Sequence, residues 1–142
     1  MTTSTPVPKG PRFDLPTIEE ESRPFWNALK DGRLMIGRCK ACTRAHYYPR
    51  PFCPYCWSED VALEASGGRG VLYTYSTIHV NDLPPFKEWL PYVAAIVDLD
   101  EGVRVTTNIV GCDPASLKIG MRVAVEFVEI TPEISKAVFR PA

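Results

Sequence analysis

The sequence predicts a mainly β protein in which a short N-terminal helix and a small cysteine-bearing unit precede a five-stranded barrel. The cysteine-bearing unit is indicated by two Cys-x2-Cys pairs that lie between Gly37 and Trp57. The barrel is indicated by five β-type segments that follow the glycine-rich stretch at residues 67–70. A composition of 45% hydrophobic and 23% charged residues is typical of a globular chain. A chain of 142 residues suffices for one ordinary domain or two small ones.

The N-terminal region divides into an arm and a helix. Residues 1–16 contain four prolines and few large apolar side chains, which predicts a flexible arm. A helix is predicted over residues 17–32, where Thr17 and Glu20 fit a capping box and Gly32 fits a stop signal.

Pro24 disfavours a helix interior, so this helix either kinks at Pro24 or begins anew there. A short helix cannot bury Phe25 and Trp26 within itself. Both aromatic side chains are therefore expected to dock, either on the rest of this chain or on a second protein.

The two cysteine pairs predict a zinc ribbon over residues 33–66. Each pair can form a knuckle that points both sulfurs at one centre, and the ten residues between the pairs allow a strand out and back. Two facing knuckles place four thiolates at the corners of a tetrahedron, the geometry that zinc prefers. The site is expected to be structural, because four thiolates leave no open position for water. The predicted ligands are Cys39, Cys42, Cys53 and Cys56.

Three other uses of these thiols compete with a zinc site. Iron suits the same four-sulfur tetrahedron. A redox dithiol is disfavoured, because a thioredoxin-type pair occurs once and within a βαβ pattern, which is missing here. Disulfides are disfavoured in a reducing compartment. His46, between the pairs, is interpreted as a packing or surface residue, and Cys112 as a buried or loop thiol.

Residues 67–142 are predicted to form the barrel, since few architectures of this size bury five strands without long exposed edges. The strand-like segments cover residues 71–80, 92–99, 103–110, 121–130 and 136–141, with a hairpin turn at residues 100–102. The preceding Gly67–Gly70 stretch is interpreted as a hinge. Phe86 and Trp89 lie in a proline-rich loop, where they either contact a partner or cap the barrel mouth.

Charge and motifs restrict the function classes. The net charge is −1, with six basic residues against one acid over residues 30–50 and seven acids against three basic residues over residues 98–133. The basic stretch fits a small phosphorylated ligand, an acidic partner or a solvated surface. The start of the sequence has no secretory pattern, and no apolar run reaches membrane-spanning length, so a cytoplasmic protein without a membrane association is expected. No nucleotide-binding or hydrolase motif occurs, which gives no support for a self-sufficient enzyme.

The order of these parts resembles the acyl-CoA-associated family known as domain of unknown function, family 35. The segments that carry the resemblance are "FWNALKDGRLMIGRCKACTRAHYYPRPFCPYC", "GGRGVLYTYSTIHV", "LPYVAAIVDLDEGVRVTTNIVGCDP" and "LKIGMRVAVEF". Together they span roughly residues 17–130. The resemblance implies an N-terminal helix, a rubredoxin-like zinc ribbon and an OB-fold barrel.

The resemblance also implies a function. Members of the family are accessory subunits of thiolase-like enzymes, including thiolases, aldolases of steroid side-chain breakdown and acyltransferases, and others assemble with acyl-CoA hydratases. It implies a hetero-oligomer in which this chain is required but the catalytic residues lie on the partner. It assigns Zn²⁺ to the four cysteines. Candidate partner contacts are Phe25, Trp26, Phe86 and Trp89, and candidate contacts to the phosphates of CoA are Arg38, Lys40, Arg44 and Arg50.

Two other functions compete with this expectation. Single-stranded nucleic acid is a known ligand of OB-folds, and Tyr73 and Tyr75 have the spacing of a shared stacking face. The acidic C-terminal half opposes that function, because it would repel phosphate. The remaining candidate is an independent iron electron carrier, which the colour of the purified protein would reveal.

Overall fold

The computed structural model describes residues 2–4 and 10–142, and it shows a helix, a small three-stranded sheet and a closed barrel. The single α-helix of the described residues, α1, covers Arg23–Lys30. It begins later than the predicted Thr17, because a 3-10 turn at Glu20–Ser22 comes first and Pro24 occupies the first turn of α1. The helix thus begins anew at the proline. It ends before Gly32, whose φ of 74° suits a residue without a Cβ.

The three-stranded sheet forms the ribbon. Its strands are β2 (Met35–Cys39), β3 (Ala45–His46) and β4 (Val61–Ala65), and β2 lies between the other two in antiparallel pairing. Strand β2 delivers the first cysteine directly from its last position.

The barrel contains β5 (Arg69–Ile78), β6 (Tyr92–Leu99), β7 (Arg104–Ile109), β8 (Arg122–Glu129) and β9 (Ser135–Pro141). The pairing runs β5–β6–β7–β9–β8 and returns to β5, with β7 and β9 parallel. All five predicted strands are present, and the order is that of an OB-fold. The predicted hairpin joins β6 to β7, where the amide of Gly102 donates to the carbonyl of Leu99.

One apolar core joins the three parts. Phe25 and Leu29 of α1, Ile36 of β2, and Leu72 and Phe139 of the barrel belong to the same buried cluster. Helix α1 packs against β2, β8 and β9. The ribbon and the barrel are therefore held together through the helix.

The predicted hinge is instead a packed connection. A Cβ on Gly70 would lie 2.9 Å from the carbonyl carbon of Asp98 and still closer to its oxygen, so only glycine fits beside β6. The amide of Val125 donates to the carbonyl of Gly68. Glu101, in the β6–β7 turn, accepts from the Ser66 hydroxyl at 2.7 Å and from the Gly67 amide at 2.9 Å.

Part of the predicted arm is ordered against the barrel. Thr2–Ser4 form a strand, β1, that pairs in parallel with residues 127–129 of β8. The guanidinium of Arg12 donates two hydrogen bonds of 2.8 Å to Asp14, and the amide of Phe13 donates to the carbonyl of Pro84. Residues 1 and 5–9 of the predicted arm lie outside the described residues. Within the described part of the chain, no helix has the length and apolar character needed to cross a membrane.

Candidate metal centre and exposed aromatic surface

The two cysteine pairs fold into knuckles of matching geometry. In each knuckle the amide of the first cysteine donates to a carbonyl five residues later, from Cys39 to Arg44 and from Cys53 to Ser58. In each, the residue after the second cysteine has a positive φ, 68° at Thr43 and 67° at Trp57. The two knuckles therefore share the same backbone turn.

The knuckles bring the four predicted sulfurs together. All four lie within 4.8 Å of one another, and the Cys39–Cys56 and Cys42–Cys53 sulfurs are 3.6 Å apart. A tetrahedral ion with metal–sulfur bonds of about 2.3 Å sets its sulfurs about 3.8 Å apart, so the donor set fits Zn²⁺.

Backbone amides favour the thiolate form at the first cysteine of each knuckle. The Cys42 amide lies 3.4 Å from the Cys39 sulfur and is the largest cause that lowers the Cys39 pKa. Burial alone would raise the pKa of Cys53, but the amides of Cys56 and Tyr55 outweigh it and lower that pKa to about 6. Each knuckle therefore stabilises negative charge at its first sulfur.

Four thiolates would fill a tetrahedral shell and leave no position for water or substrate. Such a centre fastens chain segments together and activates no reactant. Cys39 and Cys53 have no solvent exposure, so the centre is also closed on its inner side.

His46 lies outside the four-sulfur cluster and acts as a packing residue. Its side chain is 3% exposed and lies against Gly37, where a Cβ would overlap the ring. Neither ring nitrogen has a hydrogen-bond partner among the described residues. Burial, and then the charge of Arg50, lower the pKa of His46.

The four candidate CoA-binding cations have different environments. Arg38 is engaged with the Glu64 carboxylate at 2.8 Å and with the Thr43 carbonyl at 2.9 Å. The Arg44 guanidinium covers the ring of Tyr55 at 3.6 Å. Lys40 is exposed, and Arg50 lines a cavity of about 170 Å³ between α1 and β4.

The predicted aromatic contacts have different environments. Phe25 is 3% exposed, and its ring centroid lies 4.8 Å from that of Tyr48. The Trp26 indole donates to the Tyr48 hydroxyl at 3.1 Å. Both helix aromatics thus dock on the ribbon of their own chain. Burial raises the pKa of the neighbouring Tyr47 to about 12.

Phe86 and Trp89 lie half-buried at one end of the barrel. Their rings meet edge to face, with centroids 5.7 Å apart. They form part of the wall of an apolar cavity of about 400 Å³.

Sequence reasoning missed an exposed aromatic surface at the second knuckle, which we call the ribbon tip: Phe52, Tyr55 and Trp57. Trp57 is 79% exposed, although tryptophan is highly buried on average. A bulky residue with φ near 67° is a rare and strained conformation. The only signal in the sequence was three aromatics within six residues of a cysteine turn, and that pattern does not separate an exposed ring from a packed one.

The barrel face does not form the predicted pair of stacking tyrosines. The pairing of β5 with β6 shifts between Leu72 and Thr74, which leaves Tyr73 in a bulge. Tyr75 consequently packs against the core and donates its hydroxyl to the Leu117 carbonyl. Tyr73 is exposed under the guanidinium of Arg104, which also binds Asp98.

Two family models match this chain in succession. The model described as "ChsH2, rubredoxin-like zinc ribbon domain" matches residues 26–62. The model described as "ChsH2, C-terminal OB-fold domain" matches residues 63–128. Together with the sulfur geometry, the first match supports structural zinc at Cys39, Cys42, Cys53 and Cys56.

Curated relatives include catalytic-complex subunits and scaffold proteins. The chain is 40% identical over 127 residues to the "Probable enoyl-CoA hydratase alpha subunit" of Thermomonospora curvata, a match that covers 89% of this chain but 39% of that protein. It is 39% identical over 107 residues to a "DUF35 domain-containing scaffold protein" of Methanocaldococcus jannaschii, covering 74% of this chain and 75% of the relative. The chain thus spans well under half of the first of these relatives.

Among solved structures, the chain is similar to one chain of the "Ltp2-ChsH2(DUF35) aldolase". The TM-score is 0.80 at 39% identity, and the match covers 89% of this chain and 98% of that chain. Helix, ribbon and barrel therefore recur together in a chain of nearly the same extent.

Proposed function

Since the chain belongs to the family in which the ChsH2 zinc ribbon precedes the ChsH2 OB-fold, we propose that it is a non-catalytic accessory subunit of an acyl-CoA-processing complex. It binds a thiolase-like catalytic subunit and forms a hetero-oligomer with it in the cytoplasm. The single observation that carries the proposal is the match over 98% of a chain of the Ltp2-ChsH2(DUF35) aldolase. The closed four-sulfur centre supports the non-catalytic part, because it offers no position for a substrate.

We propose that the ribbon tip is the surface of this chain that contacts the catalytic partner. Aromatic residues dominate the energetics of protein interfaces, whereas an isolated soluble chain gains little from exposing them. Trp57 is the most exposed of the three rings, at 79%. The ribbon tip is also continuous with the cation–aromatic pair of Arg44 and Tyr55.

We further propose that the complex holds the nucleotide end of acyl-CoA partly on this chain. Support comes from a cleft of about 580 Å³ between the ribbon and the β6–β7 hairpin, lined by Tyr47, Tyr55, Asp98 and Arg104. Tyrosine rings can stack on a base. Arg104 is bound to Asp98 at 2.7 Å, so a phosphate would be held by another arginine beside the cleft. Arg44 covers the Tyr55 ring and so contributes a cation beside this cleft.

Co-expression tests the accessory role. A candidate thiolase-like protein from the same organism is purified alone and together with this chain, and solubility, elution and cleavage of an acyl-CoA thioester are compared. We expect co-elution and activity only in the joint preparation. A partner that is stable and fully active alone, or an isolated chain that turns over the thioester, contradicts the proposal.

Binding of CoA to this chain is tested separately by calorimetry. Calorimetric titration of CoA into the complex is repeated with Arg44→Ala and with Arg69→Ala, an exposed cation on the barrel. The proposal predicts weaker binding only for Arg44→Ala. Equal affinities in the two variants would remove CoA from this surface without affecting the accessory role.

Binding of single-stranded nucleic acid stays a prediction that no observation favours. Tyr73 and Tyr75 do not share a stacking face. The guanidinium that covers the exposed ring of Tyr73, that of Arg104, is already bound to the Asp98 carboxylate. A salt-dependent gel shift with a random oligonucleotide tests this function directly.

A further inference from the structure

The apolar cavity at the end of the barrel is separate from the metal centre and from the ribbon tip. Its volume of about 400 Å³ lies in the range of small-molecule sites. Its floor is a satellite apolar cluster of Val128, Ile130 and Val138, which is distinct from the main core. Its rim carries the edge-to-face pair of Phe86 and Trp89. The cavity therefore offers an apolar interior with an aromatic entrance.

Most of the described residues that line the cavity are apolar, and Lys136 is the one cation among them. The ammonium of Lys136 lies 5.2 Å from the centroid of the Trp89 ring, and both side chains contribute to the cavity wall. No carboxylate is among the described residues that line it. Burial lowers the pKa of Lys136, which indicates that its charge is poorly hydrated.

The nearby carboxylate does not neutralise Lys136 in full. Asp14 acts electrostatically on Lys136, but both of its oxygens accept hydrogen bonds of 2.8 Å from Arg12. The Arg12–Asp14 pair is itself largely buried, with side chains 16% and 7% exposed. These three groups thus carry a net charge of +1 beside an apolar cavity, which is the electrostatic complement of one anion.

We propose that this cavity binds an apolar monocarboxylate, with the carboxylate at Lys136 and the hydrocarbon chain between Trp89 and the satellite cluster. A desolvated ammonium gains a partner when the anion enters, and the apolar chain leaves water at the same time. A neutral molecule of the same length would obtain only the second contribution. Charge selectivity is therefore the property that distinguishes this site from a general apolar surface.

The test compares decanoate with decanol by calorimetric titration into the zinc-loaded full-length chain. The wild-type protein is expected to bind decanoate saturably and at least tenfold more tightly than decanol. Lys136→Met should lose at least tenfold affinity for decanoate and keep its affinity for decanol. Lys87→Met removes an exposed cation from the same loop region outside the cavity and should change neither.

A second readout needs no variant. Cys112 lines the cavity, so bound decanoate should slow the modification of Cys112 by a maleimide, followed by peptide mass, and decanol at equal concentration should slow it less. Absence of saturable decanoate binding, equal binding of the alcohol, or undiminished binding by a folded Lys136→Met protein each overturns the proposal. Because these measurements use the isolated chain, their failure leaves the accessory role untouched.

Discussion

Substitution of Trp57 by glycine should separate the stability of the ribbon from its binding function. Trp57 is 79% exposed and holds a left-handed conformation that glycine adopts without steric cost. A non-glycine residue in this conformation costs about 1–2 kcal/mol. Few contacts are lost with so exposed a ring, so Trp57→Gly should leave the free energy of unfolding unchanged or raise it by up to about 1 kcal/mol.

The expected effect on partner binding has the opposite sign. A buried aromatic covers about 150–250 Å², and 79% of the larger area at about 25 cal/mol per Å² gives an upper bound near 5 kcal/mol. Central interface aromatics typically contribute about 2–4 kcal/mol. We therefore expect Trp57→Gly to weaken binding to the proposed thiolase-like subunit roughly 30- to 900-fold.

Thr43→Gly supplies the matched control. Thr43 occupies the equivalent position of the first knuckle, with φ of 68°, and is also exposed. Urea unfolding of the zinc-loaded chain measures stability, and surface plasmon resonance with the immobilised partner measures affinity. If Trp57→Gly destabilises the chain as a core tryptophan would, or if both variants bind the partner like the wild type, the assignment of the ribbon tip is wrong.

Three further outcomes follow from the structure. Removal of zinc by a chelator, or Cys39→Ser, should abolish the ribbon fold, because structural zinc contributes roughly 10–16 kcal/mol, whereas Cys112→Ser should retain one zinc by elemental analysis. Gly70→Ala should lower the free energy of unfolding by about 1–3 kcal/mol through overlap with the Asp98 carbonyl, and Gly67→Ala, whose Cβ would meet its nearest atom at 3.6 Å, should stay within about 0.5 kcal/mol. Asp14→Asn should cost about 1–3 kcal/mol at pH 7 in urea unfolding. The Arg12 hydrogen bonds lower the Asp14 pKa below 3.8, so this difference should persist above pH 3.8 and disappear as the pH falls through the lowered pKa.

Each of these measurements has a result that would count against its reasoning. A chelated protein that keeps its ribbon would show that the apolar core alone suffices. Equal stabilities of Gly70→Ala and Gly67→Ala would mean that β5 and β6 can separate at no cost. An Asp14→Asn difference that grows toward low pH would have the wrong sign for a carboxylate stabilised in its charged form.

The sequence carried enough information for the strands and the metal ligands, because both depend on local periodicity and spacing. The segment at residues 92–99 became β6 with the predicted bounds, and the four cysteines met as their spacing implied. The predicted helix start at Thr17 was too early, since residues 17–22 have helix-compatible composition and α1 begins only at Arg23, directly before Pro24. Local preference did not distinguish the two starts.

Features that depend on distant contacts were not predictable. The requirement for glycine at position 70 arises from the Asp98 carbonyl, 28 residues away in sequence, so the same glycines were interpreted as a hinge. The bulge at Tyr73 changes which side chains of β5 face the core, and no residue type in β5 predicts it. Burial of Phe25 and exposure of Trp57 likewise depend on which surfaces the tertiary fold covers.

The carboxylate of Glu101 makes the connection between the ribbon and the barrel rigid. Its two oxygens accept hydrogen bonds from the Ser66 hydroxyl and the Gly67 amide. These bonds tie the β6–β7 turn to the segment that joins the ribbon to the barrel. A protein that contacts both the ribbon and the barrel therefore binds a surface whose shape is already fixed before binding. Binding then carries no entropy cost for ordering a flexible linker, which favours tight complexes from modest contact areas.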